Sequence, residues 1–220
     1  MSWFNNANLI NWSQASGISF CAYLLGCFTS GYYLVRVRLH EDIRKLGSHN
    51  VGARNVGRIL GKPGFFFTVL FDFGKGALAV WATRHFIATN HFGVSDERIV
   101  AYAMIAVVVG HIWPAQLRFR GGKGMATSLG ALLTFDPWLA VTFVVAFICL
   151  LIVFRRTVLP GLLALACVPL GCFWLDYNPE RVFLVSILCG LVLIAHRKNF
   201  VDEISNWIDR RPVQPKTNRP

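Results

Sequence analysis

The sequence predicts an all-α, polytopic membrane protein with seven transmembrane helices, one of them short, and glycine-rich loops on the cytoplasmic side. Of its 220 residues, 55% are hydrophobic and the mean hydropathy is +0.49, which is more apolar surface than a soluble domain of this size can cover. The apolar residues form long runs. The 22 Lys and Arg residues, against 11 Asp and Glu, lie mostly in short segments between these runs. Such a distribution is typical of charges that set membrane topology and does not require nucleic acid as a partner.

The length of each apolar run limits how it can cross a membrane, because a helix needs roughly 17–25 residues to span the hydrocarbon. A shorter run, Met125–Phe135, fits either a tilted short helix or a re-entrant one that needs protein cover for its ends. The longer runs, which we predict to be spans, are Gly17–Val35, Gly64–Ala88, Ile99–Ala115, Pro137–Phe154, Val158–Leu175 and Val182–Ala195.

The basic residues predict the orientation of these spans. If Met125–Phe135 crosses and the N-terminus is outside, eighteen of the 22 Lys and Arg residues lie on the cytoplasmic side. If it does not cross, Arg155, Arg156 and the basic tail from Arg197 onward would lie outside. Seven crossings with a cytoplasmic C-terminus therefore fit the positive-inside rule better.

The two ends of the chain have different compositions. Met1–Ser16 carries no Lys or Arg, unlike a signal peptide, so we expect the first span to remain as an anchor. We predict an integral membrane domain over residues 1–200 and a cytoplasmic tail over residues 201–220. Ile204, Trp207 and Ile208 have helical spacing, which predicts a short interfacial helix followed by a disordered end.

The most informative polar segment reads Gly-Ser-His-Asn-Val-Gly-Ala-Arg-Asn-Val-Gly-Arg. Glycines let backbone N–H groups approach an anion closely, and arginines supply paired, charge-assisted donors to phosphate. A tight cytoplasmic turn with topology charges would need one glycine and not three. The segment therefore predicts an anion site, with candidate residues Gly47, Ser48, Asn50, Asn55 and Arg58.

A second glycine-rich segment, Arg118–Gly124, immediately precedes the short apolar run. Glycine backbone, a lysine and a helix N-terminus together form an anion site, here from Gly121, Gly122, Lys123 and Gly124. The segment is not a P-loop, because the spacing before the lysine differs and methionine follows where a hydroxyl would bind magnesium.

No metal or cofactor site is predicted. The six cysteines lie inside apolar runs and include no CxxC pair, so we interpret them as small buried hydrophobes and not as disulfides or ligands. They are Cys21, Cys27, Cys149, Cys167, Cys172 and Cys189.

Polar residues at the inner ends of two spans form a third group. The sequence His196-Arg197-Lys198-Asn199 follows the last span, and His111 ends the third. A lone histidine at an interface is usually without function. Two histidines on the same face as both glycine-rich segments make an interpretation without function less favoured.

Two ionisable residues lie inside the second span. Asp72 and Lys75 are three positions apart and so share one helix face. Charged groups are costly within a membrane, so such residues are either paired or functional. A structural ion pair and direct contact with a substrate are both consistent with this spacing.

Taken together, these residues resemble the bacterial acyl-phosphate-dependent glycerol-3-phosphate acyltransferases, a family of small seven-span membrane enzymes. The family pattern Gly-Ser-x-Asn-x-Gly-Ala-x-Asn-x-x-Arg occurs at Gly47–Arg58, and Asp-x-x-Lys-Gly-Ala occurs at Asp72–Ala77. Gly-His-x-x-Pro occurs at Gly110–Pro114, followed by Phe-x-Gly-Gly-Lys-Gly-x-Ala-Thr at Phe119–Thr127. His-Arg-x-Asn occurs at His196–Asn199. The four motifs appear in order across most of the chain, and their combination is highly specific.

The chain departs from the family pattern at several positions. His49 stands where the family usually has Gly, Arg54 where it usually has Thr, and Lys198 where Glu is common. Around Arg155–Pro160 the serine-rich stretch of the family is missing, and only Thr157 keeps a hydroxyl. These departures bear on how the acyl donor fits.

The resemblance implies an activity and a set of site residues. The reaction is acyl transfer from acyl phosphate to glycerol 3-phosphate, giving 1-acyl-sn-glycerol 3-phosphate (lysophosphatidic acid) and phosphate in phospholipid synthesis. The implied partners are these small molecules and membrane lipid, with no nucleic acid and no cofactor, and the implied location is the inner membrane of a bacterium. The implied catalytic residues are Ser48, His111, His196 and Asn199. The implied substrate-binding residues are Gly47, Asn50, Asn55, Arg58, Lys75, Gly121, Gly122, Lys123, Gly124 and Thr127.

The implied reaction agrees with the chemistry of the residues. An acyl phosphate is already activated, so the protein needs no covalent nucleophile. Two phosphates must be held side by side against their mutual repulsion, which requires cations such as Arg58 and Lys123 and backbone N–H groups. The proton of the attacking hydroxyl could pass to His196, to His111 or to a substrate phosphate oxygen.

Other classes of protein fit less well. A membrane transporter of a phosphorylated or anionic solute would use the same basic loops but needs a polar path through the membrane. Beyond Asp72 and Lys75, the spans offer few polar groups for such a path. A non-catalytic membrane scaffold would leave the glycine-rich segments unexplained.

Overall fold

Among the residues that the structure describes, five helical segments are long and apolar enough to span a membrane. The computed structural model describes residues 12–89, 97–176 and 178–208, and all regular structure within them is helical. The apolar segments are Trp12–Leu39, Ala53–Thr89, Glu97–Leu117, Pro137–Phe154 and Val158–Leu175. A sixth is present if the bent pair Pro179–Ala195 and Arg197–Glu203 counts as one span, and Met125–Phe135 is a shorter apolar helix. The all-α membrane fold is confirmed, whereas the count of seven crossings remains a prediction.

Nine α-helices lie within the described residues. They are α1 (Trp12–Cys27), α2 (Ser30–Leu39), α3 (Ala53–Thr89), α4 (Glu97–Ile112), α5 (Met125–Phe135), α6 (Pro137–Phe154), α7 (Val158–Asp176), α8 (Pro179–Ala195) and α9 (Arg197–Ile208). Short 3-10 turns lie at Ile43–Lys45 and Ala115–Leu117.

The first predicted span, Gly17–Val35, is broken in the structure. Helix α1 ends at Cys27 and α2 begins at Ser30, although Trp12–Leu39 as a whole is long and apolar enough to form one span, as predicted. The last carbonyl groups of any helix have no partner within the helix and must find one elsewhere. Here those partners come from distant parts of the chain.

Side chains from α3 and from the connection after α4 stabilise the break. Lys75 Nζ donates to Gly26 O at 3.1 Å and to Phe28 O at 2.7 Å, and Gln116 Nε2 donates to Cys27 O. An ammonium group is favourable at the negative end of a helix dipole. These partners are 47 to 89 positions away in the sequence, so the local apolar pattern could not reveal the break.

Helix α3 begins at Ala53, well before the second predicted span. It bends at Gly61 (φ 74°, ψ −170°), two residues before Pro63. Proline lacks a backbone N–H and its ring clashes with the preceding turn, which explains a bend at this place. The segment predicted as a loop from Gly47 to Arg58 is therefore a loop only as far as Gly52, and its second half forms the first turns of α3.

The C-terminus of the short helix α5 is capped by arginines from neighbouring helices. Arg84, near the end of α3, donates to Thr134 O at 2.8 Å and to Phe135 O at 2.6 Å. Asp136, between α5 and α6, pairs with Arg181 on α8 at 2.6 Å. The last two carbonyls of α5 are thus satisfied by Arg84.

Helix α5 also packs closely against α3. A Cβ atom at Gly76 would overlap the carbonyl of Thr127, and a Cβ atom at Gly130 would overlap the carbonyl of Phe73. Small residues at such positions let two helix backbones approach within a membrane. Six of the 11 residues of α5 are buried, so this short helix has the protein cover that its length requires.

Helix α4 forms the centre of the fold and α6 lies at its outside. Ten of the 16 residues of α4 are buried, whereas only Leu139 and Phe143 are buried among the 18 residues of α6. The remaining side chains of α6 are almost all apolar, as expected for a helix that faces lipid.

The chain turns sharply after α8. Helix α9 is bent by 63° from α8 and begins at Arg197, a few residues before the predicted tail at residue 201. The predicted interfacial helix corresponds to the later part of α9. Residues 209–220, which include the predicted disordered end, lie outside the described residues.

Candidate active site

Asn55 organises the first glycine-rich loop from the first turn of α3. Its Nδ2 donates to Leu46 O at 3.0 Å and to Asn50 O at 2.8 Å, and its Oδ1 accepts from Ser48 N at 2.8 Å. Gly47, with a φ of 56°, leaves room for that oxygen where a Cβ would overlap it. Asn55 is only 1% exposed. Its amide therefore shapes the loop from inside.

The same loop presents polar side chains at its surface. Ser48 is exposed, and Asn50 Oδ1 closes a turn by accepting from Gly52 N at 3.2 Å, while Arg58 is exposed on the first turns of α3 that follow the loop. The loop rests on a small buried apolar cluster, which fixes its backbone. That cluster consists of Val35, Ile43, Val51 and Val56.

The second glycine-rich segment is held from beneath by the end of α4. Gly122 N donates to His111 O at 2.9 Å, and Gly121 N donates to Ile112 O at 3.1 Å. A Cβ atom at Gly121 would overlap the His111 carbonyl, and one at Gly122 would overlap the His111 ring. Gly124, with a φ of 84°, precedes the first residue of α5. All three glycines are thus required by close packing or by backbone conformation.

Arg44 connects the two 3-10 turns that precede the glycine-rich segments. Its Nη1 donates to Leu117 O at 2.7 Å, and its Nη2 pairs with Asp42 Oδ2 at the same distance. The hydrogen bonds from Arg44 hold the pKa of the Asp42 carboxyl below its usual range. No local pattern indicated this link, because its partners are 73 positions apart.

Lys123 lies where the second segment meets α9. Its Nζ donates a hydrogen bond to Asn199 Oδ1, which joins two of the predicted motifs. Burial lowers the pKa of the Lys123 ammonium group, as do the charges of Arg54 and Lys198, while Asp202 raises it. Arg54 and Asp202 were not among the predicted site residues, because only the tertiary packing brings them near Lys123.

His196 lies within electrostatic reach of Lys123 and Arg54 at the end of α8. It is 9% exposed, and its Nδ1 is 2.8 Å from Val192 O. A carbonyl oxygen can only accept, so Nδ1 carries the ring proton and Nε2 keeps a lone pair. His196 therefore has the tautomer that a proton acceptor at Nε2 requires.

Lys75 is buried in a polar network between α3, α4 and the end of α1. It is 5% exposed, and its Nζ is 3.0 Å from Asp72 Oδ1 and 2.7 Å from His111 Nδ1. Ser30 Oγ donates to the same carboxylate oxygen of Asp72 at 3.1 Å. Of the two alternatives for this pair, the structure favours the ion pair over direct contact with a substrate.

His111 is also enclosed, which argues against the catalytic role expected for it. It is 3% exposed, its Nδ1 accepts from Lys75, and its ring lies against Gly122. With Nδ1 occupied, the neutral ring carries its proton on Nε2 and has no lone pair left for a substrate hydroxyl. Of the two histidines, only His196 keeps an available acceptor nitrogen.

Thr127, in the first turn of α5, is fully buried, and its Oγ1 has no hydrogen-bond partner among the described residues. A buried hydroxyl without a partner is costly. This hydroxyl can therefore still donate to an anion bound at the N-terminus of α5.

Arg156 stands in the region where the family has its serine-rich stretch. Its Nη1 is 3.3 Å from Glu203 Oε1 on α9. Helix α9 is therefore attached at two points, by Asn199 to Lys123 and by Glu203 to Arg156.

Comparison with known proteins agrees with this arrangement. The family model described as glycerol-3-phosphate acyltransferase matches residues 17–206. The glycerol-3-phosphate acyltransferase 1 of Desulfitobacterium hafniense (strain Y51) is 40% identical over 190 residues, which cover 86% of this chain and 91% of the relative. The glycerol-3-phosphate acyltransferase of Clostridioides difficile (strain 630) is 35% identical over 200 residues, covering 90% and 96%.

Two solved structures are similar along nearly the whole chain. The crystal structure of PlsY (YgiH), an integral membrane glycerol 3-phosphate acyltransferase, in its glycerol 3-phosphate form has a TM-score of 0.76 and 29% identity, and the match covers 93% of this chain and 96% of that one. The lysophosphatidic acid form of the same protein has a TM-score of 0.74, with 88% and 93% coverage. The resemblance seen in the sequence motifs is thereby confirmed, and the chain belongs to the glycerol-3-phosphate acyltransferase family.

Proposed function

We propose that this protein transfers an acyl group from acyl phosphate to glycerol 3-phosphate, giving lysophosphatidic acid and phosphate. The observation that supports this most directly is the hydrogen bond from Lys123 to Asn199, because it joins the second glycine-rich segment to the region of His196. A polar site at the end of an apolar bundle can receive a phosphate substrate from water and an acyl chain from the lipid. The solved relative was crystallised in glycerol 3-phosphate and lysophosphatidic acid forms, which correspond to the acceptor and the product.

Binding of the two phosphate groups is assigned to the glycine-rich segments. Lys123 and Arg58 supply cationic donors, and the N-terminus of α5 supplies backbone N–H groups and a partial positive charge. The hydroxyl of Thr127 lies in the same turn. Because the two substrates repel each other, most of the work of this site is to hold them in position for reaction.

The chemistry is a direct transfer. The acceptor hydroxyl oxygen of glycerol 3-phosphate attacks the carbonyl carbon of the acyl phosphate, and a new carbon–oxygen bond forms. The bond from that carbon to the phosphate oxygen breaks, and inorganic phosphate leaves with the electron pair. The hydroxyl proton passes to His196 Nε2 or to a phosphate oxygen of the substrate. Ser48 and Asn199 orient the hydroxyl before attack.

The location and topology belong to the same proposal. We place the protein in the inner membrane of a bacterium with seven crossings, an outside N-terminus and a cytoplasmic C-terminus, so that the site opens to the cytoplasm. Residues 1–200 would then be the membrane domain and residues 201–220 the cytoplasmic tail. The distribution of basic residues supports this orientation.

The transporter alternative loses its main support. It required Asp72 and Lys75 to contribute to a polar path, and these two side chains are bound to each other, to His111 and to backbone carbonyls.

The proposal is tested by assaying the purified protein in lipid nanodiscs with glycerol 3-phosphate and either acyl phosphate or acyl-CoA. We expect lysophosphatidic acid and inorganic phosphate in equal amounts with acyl phosphate, little product with acyl-CoA, and no effect of a metal chelator. Turnover with acyl-CoA alone, or activity that a chelator abolishes and magnesium restores, would contradict the proposal. In the same assay the Lys123→Ala variant should show kcat/KM lowered about ten- to a hundredfold.

A further inference from the structure

We infer that Lys75 and His111 are positioning residues that hold the Gly121–Gly124 segment in its active shape. Lys75 contacts backbone carbonyls at the break between α1 and α2, and the His111 ring lies against the backbone of Gly122. The inference rests on the proposed function, because the segment it concerns carries Lys123. Both side chains are buried, so they act through the segment and not on a substrate.

Lys75 connects three helices and the break in the first span. Four acceptor atoms lie within 3.1 Å of its Nζ, namely Asp72 Oδ1 on α3, His111 Nδ1 on α4, and the carbonyl oxygens of Gly26 and Phe28 at the end of α1. A lysine ammonium can only donate, so His111 Nδ1 must accept. The hydrogen bond from Lys75 to Nδ1 thereby fixes the position of the His111 ring, on the edge of the ring that does not face the Gly121–Gly124 segment.

The other side of the His111 ring supports the glycine segment. With Nδ1 accepting, the neutral ring carries its proton on Nε2, and this nitrogen lies where a Cβ of Gly122 would be. The carbonyls of His111 and Ile112 accept from Gly122 N and Gly121 N at 2.9 and 3.1 Å. A shift of the ring would therefore move the backbone directly before Lys123.

A simple ion pair does not account for this arrangement. Asp72 and Lys75 could neutralise each other on α3 without a partner on α4. The connection after α4 is also attached to the end of α1 by two further hydrogen bonds, from Gln116 to Cys27 O and from Tyr23 to Trp113 O at 3.0 Å. The break in the first span and the glycine segment thus form one packed unit.

The test replaces both charges so that no single buried charge is left unpaired. In the variant Asp72→Asn with Lys75→Met, His111 loses the donor that fixes its ring. We expect kcat/KM for glycerol 3-phosphate to fall about ten- to a hundredfold, mainly through KM, because small displacements of a binding group have effects of this size. Amide hydrogen exchange at Gly121 and Gly122 should become faster. Thr83→Val is the matched control, since it removes a buried hydroxyl of α3 that donates to Ala79 O on the same helix.

A spectroscopic measurement separates this role from a general effect on folding. With nitrogen-15 labelled histidine, the wild-type spectrum should show His111 protonated on Nε2, assigned by the signal that His111→Asn removes. In the double variant this single tautomer should be lost. His111→Asn keeps an acceptor near Lys75 but has no ring under Gly122, so it should show the same loss of activity and of exchange protection.

Two results would overturn the inference. One is a wild-type His111 protonated on Nδ1. The other is a His111→Asn variant with wild-type kcat/KM and wild-type amide exchange at Gly121 and Gly122. This single variant tests the inference even if the double variant does not fold. Failure of the proposed function would look different, because the wild-type protein itself would then not turn over acyl phosphate, while the tautomer and exchange measurements do not depend on activity.

Discussion

Lys123 and Asn199, which are 76 positions apart in the sequence, are joined by a hydrogen bond between Nζ and Oδ1. One residue lies before the N-terminus of α5 and the other lies on α9. The bond therefore brings together two motifs that have no connection in the local sequence.

Single alanine substitutions of four basic residues should separate a phosphate site from topology charges. We expect kcat/KM to fall about ten- to a hundredfold for Arg58→Ala and Lys123→Ala, because a charge-assisted contact with phosphate is lost. Arg155→Ala and Arg156→Ala should change it by only about two- to fivefold, since a partly exposed ion pair such as Arg156–Glu203 contributes little. The measurement is steady-state kinetics at equal membrane abundance. Similar kcat/KM in all four variants would mean that the glycine-rich segments are not the phosphate site.

The activity of the free enzyme should decline at high pH as Lys123 loses its proton. Burial lowers the pKa of this ammonium group, so the charged form that binds phosphate disappears at a lower pH than for an ordinary lysine, whose pKa is about 10.4. A profile of kcat/KM against pH should therefore show a basic limb below that value. Lys123→Arg stays charged and should move the limb to higher pH. If the basic limb lies at the same pH in Lys123→Arg as in the wild type, the ionisation that causes it belongs to a group other than Lys123.

Removal of Arg84 should lower stability and leave the site intact. Its guanidinium bonds the carbonyls of Thr134 and Phe135 at the C-terminus of α5, and α5 extends about 16 Å from there to the segment that carries Lys123. We expect Arg84→Ala to reduce the free energy of unfolding by about 1.5–3 kcal/mol, with kcat/KM within about threefold of wild type. Thermal unfolding in detergent measures the first quantity. Arg58→Ala, near the other end of α3, should instead lower kcat/KM and leave the free energy of unfolding nearly unchanged. A large loss of kcat/KM in Arg84→Ala, measured while the protein is fully folded, would contradict the prediction that Arg84 acts only on stability.

The orientation of the chain can be measured with reporter fusions. A reporter that is active only in the cytoplasm should give a signal at Pro220, and one that is active only outside should give a signal at Asn90. These outcomes follow from seven crossings with most basic residues inside. A cytoplasmic signal at Asn90, or an external one at Pro220, would mean that the orientation or the number of crossings is wrong.

Several features of this protein follow from the sequence alone. The apolar runs predicted α4, α6, α7 and α8 nearly to their ends, and the eleven residues of α5 matched the run Met125–Phe135. Hydropathy determines these helices because every backbone group in lipid must find its hydrogen bond within the helix. The motifs also indicated the family, since the residue types that bind phosphate occur in characteristic local order.

Other features depend on contacts between distant parts of the chain. The break after Cys27 is stabilised by Lys75 and Gln116, which donate to the backbone carbonyls at the break. No feature of the local sequence indicates these distant partners. The sequence placed both histidines beside the anion segments. Only the packing of α3 against α4 shows that His111 is occupied by Lys75, while His196 keeps its Nε2 lone pair. A residue's type sets which hydrogen bonds it can make, whereas the tertiary structure determines which of them are already made, and therefore which group remains available to a substrate.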